Sequence, residues 1–267
     1  MRTASIVAEK IQCRVDDLLR ATARAEERHF WFRGFRWFVR PLIHDALADK
    51  RSPRVLDCGC GTGTNLHLLT PYGAAYGFDL SAVGLQIGRD RGVTGLVRAS
   101  VAAVPFADAI FDLVTSFDVL YALDEGTERA ALAEMFRVTR PGGYVLVNVA
   151  AMDMLRGDHS VLSQEKRRYT KSGLQSLMTE AGFSMERITY TNATLFPLLL
   201  IARTLHRFRG LAREANVTRE ITVPVAPINA TLSALLFLES VWLRWFNNPA
   251  GSSLLCLARK PEGAAPR

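Results

Sequence analysis

The apolar positions of this chain follow two periods in turn. Short apolar runs of strand character alternate with stretches where apolar residues recur every three or four positions, the spacing of a helix with one buried face. Val7, Ile11, Val15, Leu18 and Leu19 predict an amphipathic helix over residues 6–28. Strand and helix then alternate: strand 54–57, helix 65–69, strand 74–79, helix 82–91, strand 95–99 and a strongly apolar strand 111–117. Leu132, Met135 and Phe136 share one face of a helix over 128–138, which Arg140-Pro141-Gly142-Gly143 is expected to stop before a strand at 144–150. A helix over 171–181 and strands at 183–191 and 252–259 complete the series. This alternation predicts an α/β, doubly wound domain.

Two segments do not fit a minimal domain of that kind. Residues 28–38 interleave six aromatics, among them Trp31, with Arg28, Arg33, Arg36 and His29. This stretch could wall an apolar substrate with its rings and hold a polar end with its arginines; equally, it could pack its rings on the core while the arginines reach water. Between the last two strands lie about sixty residues with two apolar stretches, 193–202 and 228–246, separated by the basic stretch 203–213. The uncharged run 188–202 is shorter than the roughly twenty residues that span a bilayer, and Pro224, Pro227 and Asn229 are expected to break the run 221–238. An inserted helical hairpin is expected, serving as a roof over a substrate pocket, a contact with a membrane interface or a contact with another subunit.

The first strand runs into Asp57-Cys58-Gly59-Cys60-Gly61-Thr62-Gly63, followed at once by the first core helix. A glycine turn between strand and helix lets backbone approach a nucleotide cofactor closely. Where such a turn faces a pyrophosphate, a carboxylate repels the ligand. Asp57 suits a cationic tail instead, such as the amino group of a methionine moiety, and this argues against a nicotinamide dinucleotide. A second acid, Asp79, follows twenty-two residues later at the end of the second strand.

On Asp57, Gly59, Gly61, Gly63 and Asp79 the sequence resembles the class I S-adenosylmethionine-dependent methyltransferases, and within them the bacterial small-molecule group called type 11. The likeness runs over about 55–150 and more weakly into 165–190. It implies a Rossmann-like seven-stranded sheet with the last strand antiparallel, here with an N-terminal helical lid and a helical insertion before that strand. The expected organisation is a lid at 1–53, a cofactor domain at 54–191, the insertion at 192–250, the final strand at 251–260 and a tail at 261–267. The implied cofactor is S-adenosyl-L-methionine, with S-adenosyl-L-homocysteine as product.

The resemblance also implies roles. Asp57 and the three glycines would line the methionine and ribose portion, Asp79 would accept from both ribose hydroxyls, and Leu80 would pack on the adenine. Asp79 could alternatively cap the helix that follows. Ser100 stands where relatives often carry an Asp that receives the adenine amino group, a departure that leaves one hydroxyl and the Val101 amide for the ring. Phe117 and Asp118, leaving the fourth strand, would lie near the methionine end and Tyr121 near the acceptor. His159 is a candidate base because histidine titrates near neutrality. Arg168 could clamp an anionic group on the acceptor, and Tyr169 could close the pocket.

Composition narrows the partners. The chain has 33 Lys and Arg against 26 Asp and Glu, a formal net charge of +7. Residues 55–155 are acidic and both flanks are basic, which suits a phosphate-bearing substrate, an anionic membrane surface or nucleic acid, and equally a solvated basic face that serves solubility. The fourth strand's exit lacks the Asn/Asp-Pro-Pro-aromatic motif of enzymes that methylate base amines, so nucleic acid is not the expected substrate. Cys58 and Cys60 have no second cysteine or histidine cluster at ligand spacing, so no metal is expected. Four cysteines without a disulfide framework, and no leader-like start, suggest a cytoplasmic protein with peripheral contact at the inner face of the membrane. The expected activity is methyl transfer to a small or lipid-like apolar acceptor, with oxygen slightly favoured as the methylated atom. The alternative is a non-catalytic cofactor-fold module that binds or assembles at a membrane.

Overall fold

The computed structural model describes residues 15–155, 164–208 and 221–263. Seven strands, β1 (Arg54–Cys58), β2 (Ala74–Asp79), β3 (Leu96–Arg98), β4 (Phe111–Phe117), β5 (Thr139–Ala150), β6 (Ser184–Thr191) and β7 (Ser253–Arg259), form one sheet in the order β3-β2-β1-β4-β5-β7-β6. The pairs from β3 through β5 are parallel, and β7 is antiparallel to both β5 and β6. All seven residues of β4 are buried, as expected of a central strand covered on both faces.

Helices cover the two faces. The helical residues 15–25 (α1), α2 (Phe30–Leu47), α3 (Thr64–Leu69) and α4 (Ala82–Asp90) precede β4. They are followed by α5 (Glu125–Val138), α6 (Lys171–Glu180), α7 (Phe196–Phe208) and α8 (Ala226–Trp242). Val39 and Ile43 of α2, Leu69 of α3 and Leu236 of α8 share one apolar cluster with Leu113 and Leu146 of the sheet. Leu132 and Met135 of α5 and Leu174 and Met178 of α6 form a second cluster with Val114, Val145 and Val147. Alternate residues of β4 and β5 therefore enter different cores, which fixes the register of both strands.

Two expectations are corrected. The Pro-Gly-Gly stretch does not stop α5; the helix ends at Val138, and β5 begins at once with Thr139. Thr139 Oγ1 donates to the Met135 carbonyl at 2.6 Å, and the buried Lys260 ammonium donates to the carbonyls of Phe136 (2.7 Å) and Thr139 (2.8 Å). A cation from β7's exit thus satisfies the last turn of α5. The Pro-Gly-Gly stretch instead lies at a register shift, between Phe111 and Leu113 on the partner strand.

The run 221–238 is broken at residues 222–225, which include Pro224, as expected; Pro227 and Asn229, however, lie inside the helix that follows. Pro227 lies in the first turn of α8, where a missing amide hydrogen leaves no bond unmade. The Asn229 side chain bridges to α2, accepting from Phe30 N at 2.9 Å and donating to the Arg28 carbonyl at 2.9 Å. Helices α2 and α8 meet closely at Gly34, where a Cβ would lie 2.4 Å from Leu236 Cδ1.

Candidate cofactor and methyl-transfer site

Strand β1 lies between β2 and β4, so the chain order reverses beside it and a crevice opens at the C-terminal ends of these strands. Asp57, Asp79 and Phe117 all lie at those ends. The glycine loop leaves β1 with positive φ at Gly59 (76°), Gly61 (55°) and Gly63 (74°), a region that side-chain-bearing residues rarely adopt. At Gly59 there is no room either, because a Cβ would sit 2.5 Å from Val119 Cγ2.

Asp57 is the least compensated group in this crevice. It is 1% exposed. Its Oδ1 accepts from Thr115 Oγ1 at 2.7 Å, while Oδ2 has no hydrogen-bond partner among the described residues. Burial pushes its carboxyl up to about 7, against the downward pull of the Thr115 hydroxyl and with a small push from Asp79. A cationic ligand would relieve both the missing contact and the penalty on the charge.

Asp79 ties the crevice together. Its Oδ2 accepts from Gly61 N and its Oδ1 from Ser81 N, both at 2.8 Å. Each oxygen keeps a lone pair for a further donor. Burial raises its pKa, and the two amide bonds oppose the rise. The cap of α4 is Ser81, whose Oγ accepts from Gly84 N and donates to Asp16 Oδ1 on α1. Leu80 beside it is 60% exposed. Ser100 spends part of its hydrogen-bonding capacity on its own turn, accepting from Ala102 N at 3.2 Å through Oγ; Val101 is half-buried next to it.

The N-terminal helix is latched to the glycine loop by a group the sequence reading did not single out. Glu26, buried just past α1, accepts from Thr64 Oγ1 at 2.6 Å and Thr62 Oγ1 at 3.0 Å and pairs with Arg91 beyond α4. The hydroxyls of Thr62 in the glycine loop and Thr64 at the start of α3 were the available signal. Helix α2 reaches the crevice through Phe35, whose ring meets Phe117 edge-on at 4.9 Å between centroids. Of the residues expected to hold substrate, Trp31 packs edge-on against Phe30 and Arg33 lies over the Trp37 ring at 5.3 Å.

The acceptor side differs more from expectation. Asp118 leaves β4 in the left-handed region (φ 61°), accepts from Asn148 Nδ2 at 2.9 Å and faces open solvent. Desolvation by the surrounding protein raises its pKa, the Asn148 bond and Arg168 oppose the rise, and Glu165 adds to it. Tyr121 is buried in the core, and its carbonyl accepts from Lys166 N and Arg167 N. Arg168 is engaged by Glu165 through two bonds, at 2.8 and 3.0 Å, and donates to the Ala151 carbonyl, rather than reaching outward as a clamp. Tyr169 is buried and donates to Glu128, which also pairs with Arg167, so it braces α5 instead of closing a pocket. His159 lies outside the described residues. A groove lined by Leu132, Arg137 and Leu177 carries none of these groups.

Burial pushes the thiols of Cys58 and Cys60 well above the ordinary value, which leaves them as protonated packing groups. The crevice thus combines a glycine-rich loop at the C-terminal end of β1 with two buried or half-buried carboxylates, Asp57 and Asp79.

Comparison with known proteins leads to the class that the sequence resembles. A family model described as "Methyltransferase domain" matches residues 56–147. The chain is 39% identical over 118 residues to the demethylmenaquinone methyltransferase of Renibacterium salmoninarum, a match covering 42% of this chain and 46% of that protein. It is 30% identical over 188 residues to the ubiquinone/menaquinone biosynthesis C-methyltransferase UbiE of Yersinia enterocolitica, covering 56% of this chain and 73% of that protein. The first of these matches therefore spans less than half of the relative's length. Among solved structures, the putative methyltransferase in complex with the Haloferax volcanii Trm112 activator superposes with a TM-score of 0.58, covering 93% of this chain and 96% of that one. At 16% identity, that likeness is one of fold. The chain belongs to the class I S-adenosylmethionine-dependent methyltransferases. Its cofactor is S-adenosylmethionine.

Proposed function

We propose that this protein methylates a lipid-like acceptor of the quinone class, with carbon rather than oxygen as the methylated atom. The relatives named for quinone biosynthesis support the acceptor class, and the name of the second supports carbon. The sequence alone slightly favoured oxygen; the preference for carbon here is supported by the name of the second relative. The observation that carries the site is the buried Asp57 carboxylate, with one oxygen unpartnered beside three glycines in left-handed backbone.

When bound, S-adenosylmethionine supplies an electrophilic methyl group on a sulfonium. In this reading, Asp57 receives the cofactor's α-amino group, the backbone at Gly59 and Gly61 approaches its methionine and ribose portion, and Asp79 accepts from the ribose hydroxyls. Leu80, Ser100 and Val101 border the adenine. Phe117 and Phe35 wall the crevice at the acceptor side. Methyl transfer to an acceptor C–H or O–H releases one proton, and in this reading Asp118, whose raised pKa suits a proton acceptor, takes it. Much of the acceleration comes from orientation, which supplies about 7–11 kcal/mol when the reacting atoms are held at attack distance.

Calorimetric titration with S-adenosylmethionine and S-adenosylhomocysteine, followed by transfer of a labelled methyl group to demethylmenaquinone-like acceptors kept in the reduced, quinol form by added dithionite, tests the proposal. Binding of neither nucleotide would refute the site assignment. Nucleotide binding with label recovered only on non-quinone acceptors, or on oxygen, would refute the acceptor assignment.

A further inference from the structure

Helix α8 is inside out. Along one side, Ser233, Leu236, Glu239 and Ser240 are buried. Along the opposite side, the larger apolar residues Leu235, Phe237, Leu238, Val241 and Trp242 are exposed. The helix's single charged residue, Glu239, points inward. Its carboxylate accepts from Ala193 N (2.9 Å), Thr194 N (3.0 Å), Thr194 Oγ1 (2.7 Å) and Asn248 Nδ2 (3.0 Å), fixing the start of α7 to α8. A helix packed only for its own fold places its apolar stripe inward and its charges outward. Here the polar groups bind the hairpin together and the apolar side faces out.

The exposed side continues past the helix. Trp245 is 80% exposed, and the rings of Trp242 and Phe246 stack at 4.2 Å. Phe237 meets Trp37 of α2 edge-on, and Arg33 lies over that same Trp37. On the neighbouring α7, Leu198 and Ile201 are 60% and 59% exposed. Apolar patches of this extent mark an interaction surface.

Among the described residues the rim is mainly basic, with Asp45 of α2 an exposed acid near the turn. Arg244, between the tryptophans, and Arg40, one turn from Trp37 on α2, are both exposed. Across residues 192–250 the sequence has six arginines and three glutamates, one of them the buried Glu239. Indole rings, aliphatic side chains and arginines around an uncharged face suit the boundary between acyl chains and anionic headgroups. A two-fold contact between copies would instead bring two mainly basic rims together. No described helix is long and apolar enough to cross a membrane, which leaves this face to lie on one.

We propose that the outward face of α8 and the Trp242–Phe246 turn dock on an anionic lipid bilayer, entering its interface without spanning it. The site does not depend on which acceptor is methylated. The test reads binding without methyl transfer, so its failure and the failure of the quinone assignment are separable.

The experiment is flotation of the full chain with vesicles of phosphatidylcholine containing about 30% phosphatidylglycerol, and with phosphatidylcholine alone. It compares the unaltered protein with Leu238→Glu/Trp245→Glu and with Arg244→Glu. Circular dichroism and S-adenosylmethionine binding serve as controls for folding. We expect the unaltered protein to float with the anionic vesicles, the double substitution to lower the bound fraction at least tenfold, and Arg244→Glu to weaken binding to the anionic vesicles and flatten its dependence on salt. Vesicles with brominated acyl chains should quench the tryptophan emission of the unaltered protein, a readout that needs no variant. Failure to float with either vesicle, flotation of the folded double variant equal to that of the unaltered protein, or a dimer in solution that the double substitution dissociates without vesicle binding would each overturn the proposal.

Discussion

Thr115 Oγ1 donates to Asp57 Oδ1 at 2.7 Å across the β1–β4 pair, and this is the only hydrogen bond that the Asp57 carboxylate makes among the described residues. A carboxylate so buried is under-partnered within the fold, and the proposed contact with the cofactor's amino group would supply the missing partner. The cofactor assignment and the first prediction both rest on it.

With a pKa raised from 3.8 to about 7, Asp57 binds its proton more tightly in the folded than in the unfolded chain. Stability from this group is therefore full below about pH 4 and is lost as pH rises through about 7. Asp57→Asn keeps an acceptor for Thr115 and removes the charge. It should raise stability at pH 8 by about 1–4 kcal/mol and flatten the pH dependence of thermal unfolding between pH 4 and 7. The same substitution should weaken S-adenosylmethionine binding at least tenfold at pH 8, and binding to the unaltered protein should weaken as pH falls below about 7. A variant that is stabilised but binds normally would separate Asp57 from the cofactor.

Glu26→Ala leaves Arg91 without its carboxylate and the Thr62 and Thr64 hydroxyls without their acceptor. Removing one partner of a buried pair costs about 3–5 kcal/mol. Arg91 is a third exposed, so the lower end of that range is expected. Chemical denaturation should report the loss, and hydrogen exchange should quicken in α1 and in the loop between β1 and α3. Unchanged exchange in the loop would mean that Glu26 does not hold it.

Asp118→Asn preserves a side chain that tolerates left-handed backbone and removes the proton acceptor. Turnover should fall about 10²–10⁴-fold, the usual contribution of a general base, with the affinity for S-adenosylmethionine within a few-fold of the original. The unaltered enzyme should lose activity towards acid through an apparent pKa between the ordinary carboxylate value and about 7. Retention of that acid limb in the variant would assign it to another group.

Gly34→Leu places a side chain where even a Cβ would lie 2.9 Å from Leu236 Cβ. Overpacking of this kind costs about 1–3 kcal/mol. Proteolysis should accelerate within α8 while the cofactor loop keeps its affinity. A parallel loss of cofactor binding would show that the hairpin and the crevice are coupled.

The sequence by itself determined the strand–helix alternation, because the period of apolar residues follows directly from the geometry of each element. It also marked the glycine loop with Asp57 and Asp79, since few chemistries need an acid, three glycines and a second acid at that spacing. The end of α5 escaped it, because Lys260 and Thr139 satisfy a turn that Pro-Gly-Gly was expected to break. So did the partners of Arg168 and Tyr169: a basic or aromatic residue looks the same in sequence whether it reaches outward or meets a buried Glu165 or Glu128. The tertiary structure alone decided that Glu26 latches the loop and that α8 turns its apolar side outward. Both depend on which residues meet across distant segments, and local periodicity does not carry that information.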